Sequence, residues 1–328
     1  MTPYYRPARV VTRIGAALVL AGFALAASAQ GYPGKVVRLI SQFPPGGGTD
    51  LIARLLAPKL TEAWGQQVIV ENRAGAAGNV AAEYVAKSPA DGYTILVANN
   101  TLVINAAMPQ KLPFDVLKDF ASIAVVASTP VALAVHPSVP VNSVQGLIKL
   151  ARSQPGKLSY SSCGNGTAMH LTGELLKQLA KIDMVHVPYK GCGPAIADGI
   201  AGQVPILFNT ITNTAAQASA GRLKVIAIAS ATRSPVNTSL PTIAEAGLTG
   251  FDADIWFGFL APAATPREII TRFNTELNRI VRLPEINDKM RVQLFDVRTS
   301  TPEGFAELIR ADIAKWGKVI KDANIRPD

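Results

Sequence analysis

From Lys35 onward two hydrophobic patterns alternate along the chain. Short continuous apolar runs, bounded by Gly and Pro, read as strands; stretches with apolar residues every three or four positions read as helices. The spacing predicts strands over 36–40, 67–70 and 94–98, with helices over 49–64 and 78–87 between them. Pro58 lies inside the first helical pattern and is expected to kink or break it. The alternation resumes after Pro130. Strands are expected over 131–135, 158–161, 184–187, 204–208 and 223–229, and helices over 144–152, 167–180, 194–201 and 212–220. A strand over 255–260, ended by Ala261-Pro262, follows, then helices over 266–281, 285–290 and 302–323 and a short strand near 294–297. The strands lack polar alternation, which predicts parallel sheets covered by helices on both faces.

Two such α/β units with a returning C-terminal segment predict two lobes joined by crossings near 128–130 and 252–254, with a ligand cleft between them. The N-terminus stands apart. Arg6, Arg9 and Arg13 precede an uncharged, mostly apolar run over 14–26, followed by Ala27-Ser28-Ala29. This is the pattern of a cleavable secretory signal peptide, too short for a membrane span of about 20 apolar residues. The expected division is therefore 1–29 signal peptide, 30–129 first lobe, 130–253 second lobe and 254–328 return to the first lobe, with export across the inner membrane.

Composition narrows the function. Of 328 residues, 48% are hydrophobic and 17% charged, which excludes a disordered chain. Removing the leader's three arginines lowers the net charge from +9 to +6, with no run of three Lys/Arg, so nucleic acid is not an expected partner. His136, His170 and His186 show no metal-ligand spacing, and there is no G-x-S-x-G elbow. No cofactor, metal or enzymatic activity is expected. The two cysteines, Cys163 and Cys192, enclose about 30 residues. An even pair in an exported protein usually forms a bridge. The alternatives are two free buried thiols, or a nucleophilic Cys163 with His170 or His186 as base.

Two glycine-rich loops each follow a strand and open a helix. Gly46-Gly47-Gly48 with Thr49 and Asp50 lets the backbone approach a ligand closely and exposes helix-terminal N–H groups, an anion site. A dinucleotide fingerprint is incomplete, because Leu51 occupies the third glycine position. Ser162, Gly164, Asn165, Gly166 and Thr167 form the matching loop of the second unit. Asn99, Asn100 and Thr101, and Asn209 with Thr210, stand at strand C-terminal ends, where open α/β sheets place ligands and each could donate to a carboxylate. Phe43 and Trp256 are candidates to pack a ligand's carbon skeleton, and Lys190 is the nearby cation.

The ordered motifs Phe43-Pro44-Pro45-Gly46-Gly47-Gly48-Thr49-Asp50, Glu71-Asn72-Arg73, Ala90-Asp91-Gly92-Tyr93, His186-Val187-Pro188-Tyr189-Lys190-Gly191, Pro241-Thr242 with Glu245-Ala246-Gly247, and Trp256 with Gly258 span the chain beyond the leader. This set resembles the Bug family of periplasmic solute-binding proteins, the extracytoplasmic receptors of tripartite tricarboxylate transporters. The resemblance implies an α/β, two-domain Venus-flytrap fold of type II-like periplasmic binding proteins. It also implies a monomer that closes on a small organic acid (a dicarboxylate, tricarboxylate, amino acid or aromatic acid) and serves integral-membrane permease subunits. Carried onto this chain, the family's carboxylate-holding loops are 46–50 and 162–167, with 99–101 and Asn209 near the ligand. Where the family often has other small residues, this chain has Cys163 and Cys192. A signalling receptor and a secreted cysteine hydrolase are the alternative expectations.

Overall fold

The computed structural model describes residues 31–327, so the signal-peptide reading concerns residues outside the description. Eleven strands form two sheets among the described residues. The first contains β1 (Val37–Ser41), β2 (Val68–Asn72), β3 (Thr94–Asn99), β4 (Phe120–Thr129), β10 (Ile255–Pro262) and β11 (Asp296–Val297), in the order β11-β4-β10-β3-β1-β2. The second contains β5 (Val131–Val135), β6 (Ser159–Ser162), β7 (Val185–Pro188), β8 (Ile206–Thr210) and β9 (Lys224–Ile228), in the order β7-β6-β8-β5-β9.

The helices are α1 (Gly48–Trp64), α2 (Asn79–Ala86), α3 (Thr101–Ala107), α4 (Val144–Ser153), α5 (Ala168–Ala180), α6 (Cys192–Ile200), α7 (Ile211–Ser219), α8 (Arg267–Ile280), α9 (Pro284–Val292) and α10 (Pro302–Asp322). In α1, Ile52, Leu56 and Leu60 are fully buried against the first sheet, which accounts for their three-to-four spacing. Pro58 does not break this helix. It lies on the exposed face, as does Arg54, whose carbonyl loses its partner there and faces water.

The sheets are mixed rather than parallel. Leu39 on β1 sits opposite Val70 and Ile95 in parallel ladders, but β10 runs antiparallel to both β3 and β4. Likewise β5 is antiparallel to β8 and β9. A strand covered on both faces is the same apolar run in either direction, so its sequence carries no directional signal. The ten-residue β4 and the short α3 also lie where the sequence pattern predicted no element.

Two crossings connect the sheets. β4 runs through Pro130 directly into β5. Beside it, Ala253 N–H donates to Ala229 O at 2.8 Å, and Ala229 N–H to Val131 O at 2.8 Å. Asp254, at the second crossing, accepts from the Ser230 hydroxyl and from Arg298 at 3.4 Å. Burial pushes its carboxyl up to about 6, against the Ser230 hydrogen bond; Asp252 adds to the rise and Arg298 opposes it. α8 and α10 pack on β4, and Trp316 of α10 is fully buried.

Candidate functional site

The C-terminal ends of β1, β3 and β8 converge on one cavity of about 460 Å³ between the sheets. On the first-sheet side it is lined by Gly46, Gly47, Gly48, Leu51, Asn99, Ile255 and Phe257. The opposite wall is Met169, Thr210, Thr212 and Asn213, and a third wall comes from Val292 to Phe295. Among the described residues, no Lys, Arg, His, Asp or Glu lines it. A larger cavity of about 600 Å³ lies elsewhere, between the end of α3 and the C-terminal stretch after α10; neither glycine loop lines it, although Asn165 of the second reaches Arg326 on its wall.

The glycine loop is built around Asp50. This carboxylate is 2% exposed and accepts from Gly46 N–H at 2.9 Å, Asn72 Nδ2 at 2.8 Å and Arg54 Nε at 2.9 Å. Burial opposes ionisation, but the hydrogen bonds from Gly46, Asn72 and Arg54 together hold its pKa below the ordinary carboxylate value. Gly46 has φ +86°, a left-handed conformation that a side chain rarely accepts. Gly47 donates to Pro44 O at 3.1 Å and stands at the N-cap of α1 with no side-chain cap. The helix supplies no acceptors for its own first-turn N–H groups, and its dipole favours negative charge at this end.

The other expected site residues fall into different places. Thr49 is fully buried and shares a 2.8 Å hydrogen bond with Ser41. Phe43 lies off the cavity wall, its carbonyl accepting from Asn72 at 2.9 Å. Asn100 donates to Asp254 O at 3.2 Å, at the crossing, and Thr101 N–H donates to the Asn99 side chain at 3.0 Å. Asn209 is fully buried; its Oδ1 accepts from Thr210 N–H and Asn213 Nδ2, so it shapes the start of α7. Lys190 is exposed and off the cavity wall, and Trp256 is buried with Nε1 donating to Asp312 at 2.8 Å.

The second glycine loop also borders the first-sheet side without lining the cavity; Met169, just beyond it, does. Asn165 Nδ2 donates to Arg326 O at 2.7 Å, and Thr167 caps α5. Cys163 and Cys192 are bonded to each other, joining this loop to the first residue of α6. That bond removes Cys163 as a nucleophile, and with it the hydrolase alternative. Of the strand-end residues expected to donate, Thr210 lines the cavity, as Asn99 does; sequence reasoning missed Thr212, Asn213, Met169 and the 292–295 wall.

Behind the second loop, rings stack. His170 and His186 lie 3.7 Å apart at 7°, and Tyr160 stacks on His186 at 5.0 Å. His186 Nε2 is 2.7 Å from Ser162 Oγ, and His170 Nδ1 accepts from Gly166 N–H at 3.0 Å. Burial, with a smaller contribution from Lys177, pushes His170 down to about 4. The unfolded chain then binds the proton first, near pH 6.5. This histidine's contribution to stability is therefore complete above pH 6.5 and is lost as pH falls toward about 4. Urea unfolding at pH 7 and 4.5 should show the wild type losing about 2 kcal/mol more than His170→Gln; equal losses would refute the assignment.

Residues 52–325 match the tripartite tricarboxylate transporter family receptor (TctC). Protein BugT of Bordetella pertussis is 33% identical over 322 residues, covering 97% of this chain and 98% of its own. Among solved structures, Rpa4515 of R. palustris with adipate is 36% identical with a TM-score of 0.77, covering 90% of this chain and all of its own. MatC (Rpa3494) from Rhodopseudomonas palustris with bound malate is 30% identical with a TM-score of 0.73, covering 88% and 100%. The two-sheet architecture is thus that of periplasmic binding proteins, and the relatives are solute-binding proteins rather than enzymes. The match begins inside α1 and runs through β2 to β11, and the chain belongs to the tripartite tricarboxylate transporter receptor family.

Proposed function

We propose that this receptor captures a small organic carboxylate in the periplasm and delivers it to the permease subunits of a tripartite transporter. The observation that carries the reading is the uncapped N-terminus of α1, opening with Gly46–Gly48 into a cavity that has no charged lining. Gly46 and Gly47 N–H groups already have partners, which leaves the first-turn amide of Gly48, on the cavity wall, to the anion. Fixed dipoles then replace the carboxylate's water without a buried counter-charge. The adipate and malate held by the two Rhodopseudomonas relatives support this chemistry. Residues 30–129 with 254–328 act as one lobe and 130–253 as the other. Closure follows because Gly46–Gly48 and Thr210–Asn213 contact one ligand together only when the lobes approach. Export rests on the 1–29 leader.

A thermal-shift panel of carboxylates and their neutral amides tests this. A cognate acid at 100 times its Kd adds about 2.7 kcal/mol to stability and raises the Tm. Its amide leaves the Tm unchanged. A panel in which no acid, or acid and amide alike, raises the Tm would contradict the reading.

A further inference from the structure

The third wall of the cavity has an unusual backbone. α9 ends in a turn where Leu294 N–H donates to Arg291 O and Phe295 N–H to Met290 O, both at 2.9 Å. This places Leu294 at the position after the helix that glycine ordinarily takes, and its φ is +58°. The other described non-glycine residues with positive φ are Ala76, Ala77, Lys181 and Asn324, so Leu294 is the one bulky aliphatic side chain among them. A branched residue there is strained, and strain kept at a ligand cleft points to a use for the side chain. Folding does not supply one: Phe295 joins the hydrophobic core, whereas Leu294 is only half-buried and borders the cavity. Val292, on the same wall, is 84% exposed, an apolar side chain left uncovered at the cavity's edge. Facing them are Leu51, Ile255, Phe257 and Met169. Thr129, at the first crossing, donates its hydroxyl to Leu294 O at 3.3 Å, which ties this wall to the hinge.

We infer that residues 292–295 form a specificity wall and that Leu294 selects carboxylates with an apolar body, aliphatic or aromatic, over hydroxylated di- and tricarboxylates. The inference rests on the carboxylate reading above. An apolar body covers Val292 and Leu294, while a second carboxylate or a hydroxyl group set against these two side chains would lose water and gain no hydrogen bond from them.

Calorimetric titration with hexanoate, benzoate, malate and citrate tests it on the wild type, L294G and L294N. Glycine and asparagine both accept a left-handed φ, so neither variant lowers the Tm of the unliganded protein. The wild type binds hexanoate or benzoate more tightly than malate or citrate. Both variants weaken the apolar acids by about tenfold, from the lost contact area, and leave malate and citrate within about twofold. Acids that bind the wild type with the same ranking and ratios in both variants would overturn the role of Leu294 and leave the carboxylate reading standing. Failure of all four to bind any of the three proteins would overturn both.

Discussion

Replacing Gly48 with valine is expected to weaken carboxylate binding by about 100-fold or more. A Cβ at this position would stand 2.5 Å from Phe257 Cε1 and 2.7 Å from Cζ, closer than real contacts allow. The Phe257 ring cannot easily yield. It is 3% exposed and packs edge-to-face on Phe295 at 5.2 Å. Either the start of α1 backs away or the ring turns into the cavity, and both displace the amide that receives the anion. Overpacking of this kind costs about 1–3 kcal/mol of stability, which a domain of this size survives. Gly47→Val is milder, since its Cβ would meet Pro44 O at 3.2 Å and Phe43 Cβ at 3.3 Å, contacts that need only a small adjustment. Calorimetry on folded variants, checked by circular dichroism, gives the ranking. A Gly48→Val protein that binds within about threefold of the wild type would move the site away from α1.

The second large effect concerns the disulfide. Cys163 and Cys192 are 29 residues apart in sequence, and their bond ties the loop after β6 to the start of α6. Closing a loop of this length removes enough unfolded-chain entropy to stabilise the protein by about 3–4 kcal/mol. The double variant Cys163→Ser/Cys192→Ser should lose that amount in urea unfolding. It should also lose affinity less than Gly48→Val does, because neither cysteine lines the cavity. Native wild-type protein should show no reactive thiol. A titratable thiol, or an unchanged unfolding midpoint in the double variant, would contradict the account.

Much of this fold is legible in the sequence, for a physical reason. Helices such as α1 and α8 bury one face and carry that face as a period, and the strands are short apolar runs. What escapes is what the period does not encode. β4 is as apolar as its neighbours, but it runs through Pro130 into β5 with no helix to set it off. α3 has only seven residues, too few to display a stripe. The antiparallel direction of β5 and β10 depends on how the chain crosses between sheets, which no local pattern records.

The site divides in the same way. Gly46, Gly47 and Gly48 stand out for different reasons: Gly46 has a left-handed φ, and Gly47 and Gly48 are pressed against Pro44 and Phe257. Asp50, in the first turn of α1, and Asn209, at the end of β8, are polar residues of the right type for binding, yet their hydrogen bonds go to the loops they shape. Thr210, Thr212 and Asn213 look like ordinary capping residues. They matter because β8 ends at the same cavity as β1, a fact of topology. The 292–295 wall has no motif at all and arrives there by the return of the chain.

The most direct measurement is a crystal structure of the mature protein soaked with hexanoate. The account predicts its carboxylate within about 3 Å of the Gly48 amide nitrogen, with the hydrocarbon tail lying between Phe257 and Leu294. An acid seated instead in the larger cavity beside α3 and α10, with the Gly46–Gly48 loop untouched, would contradict it.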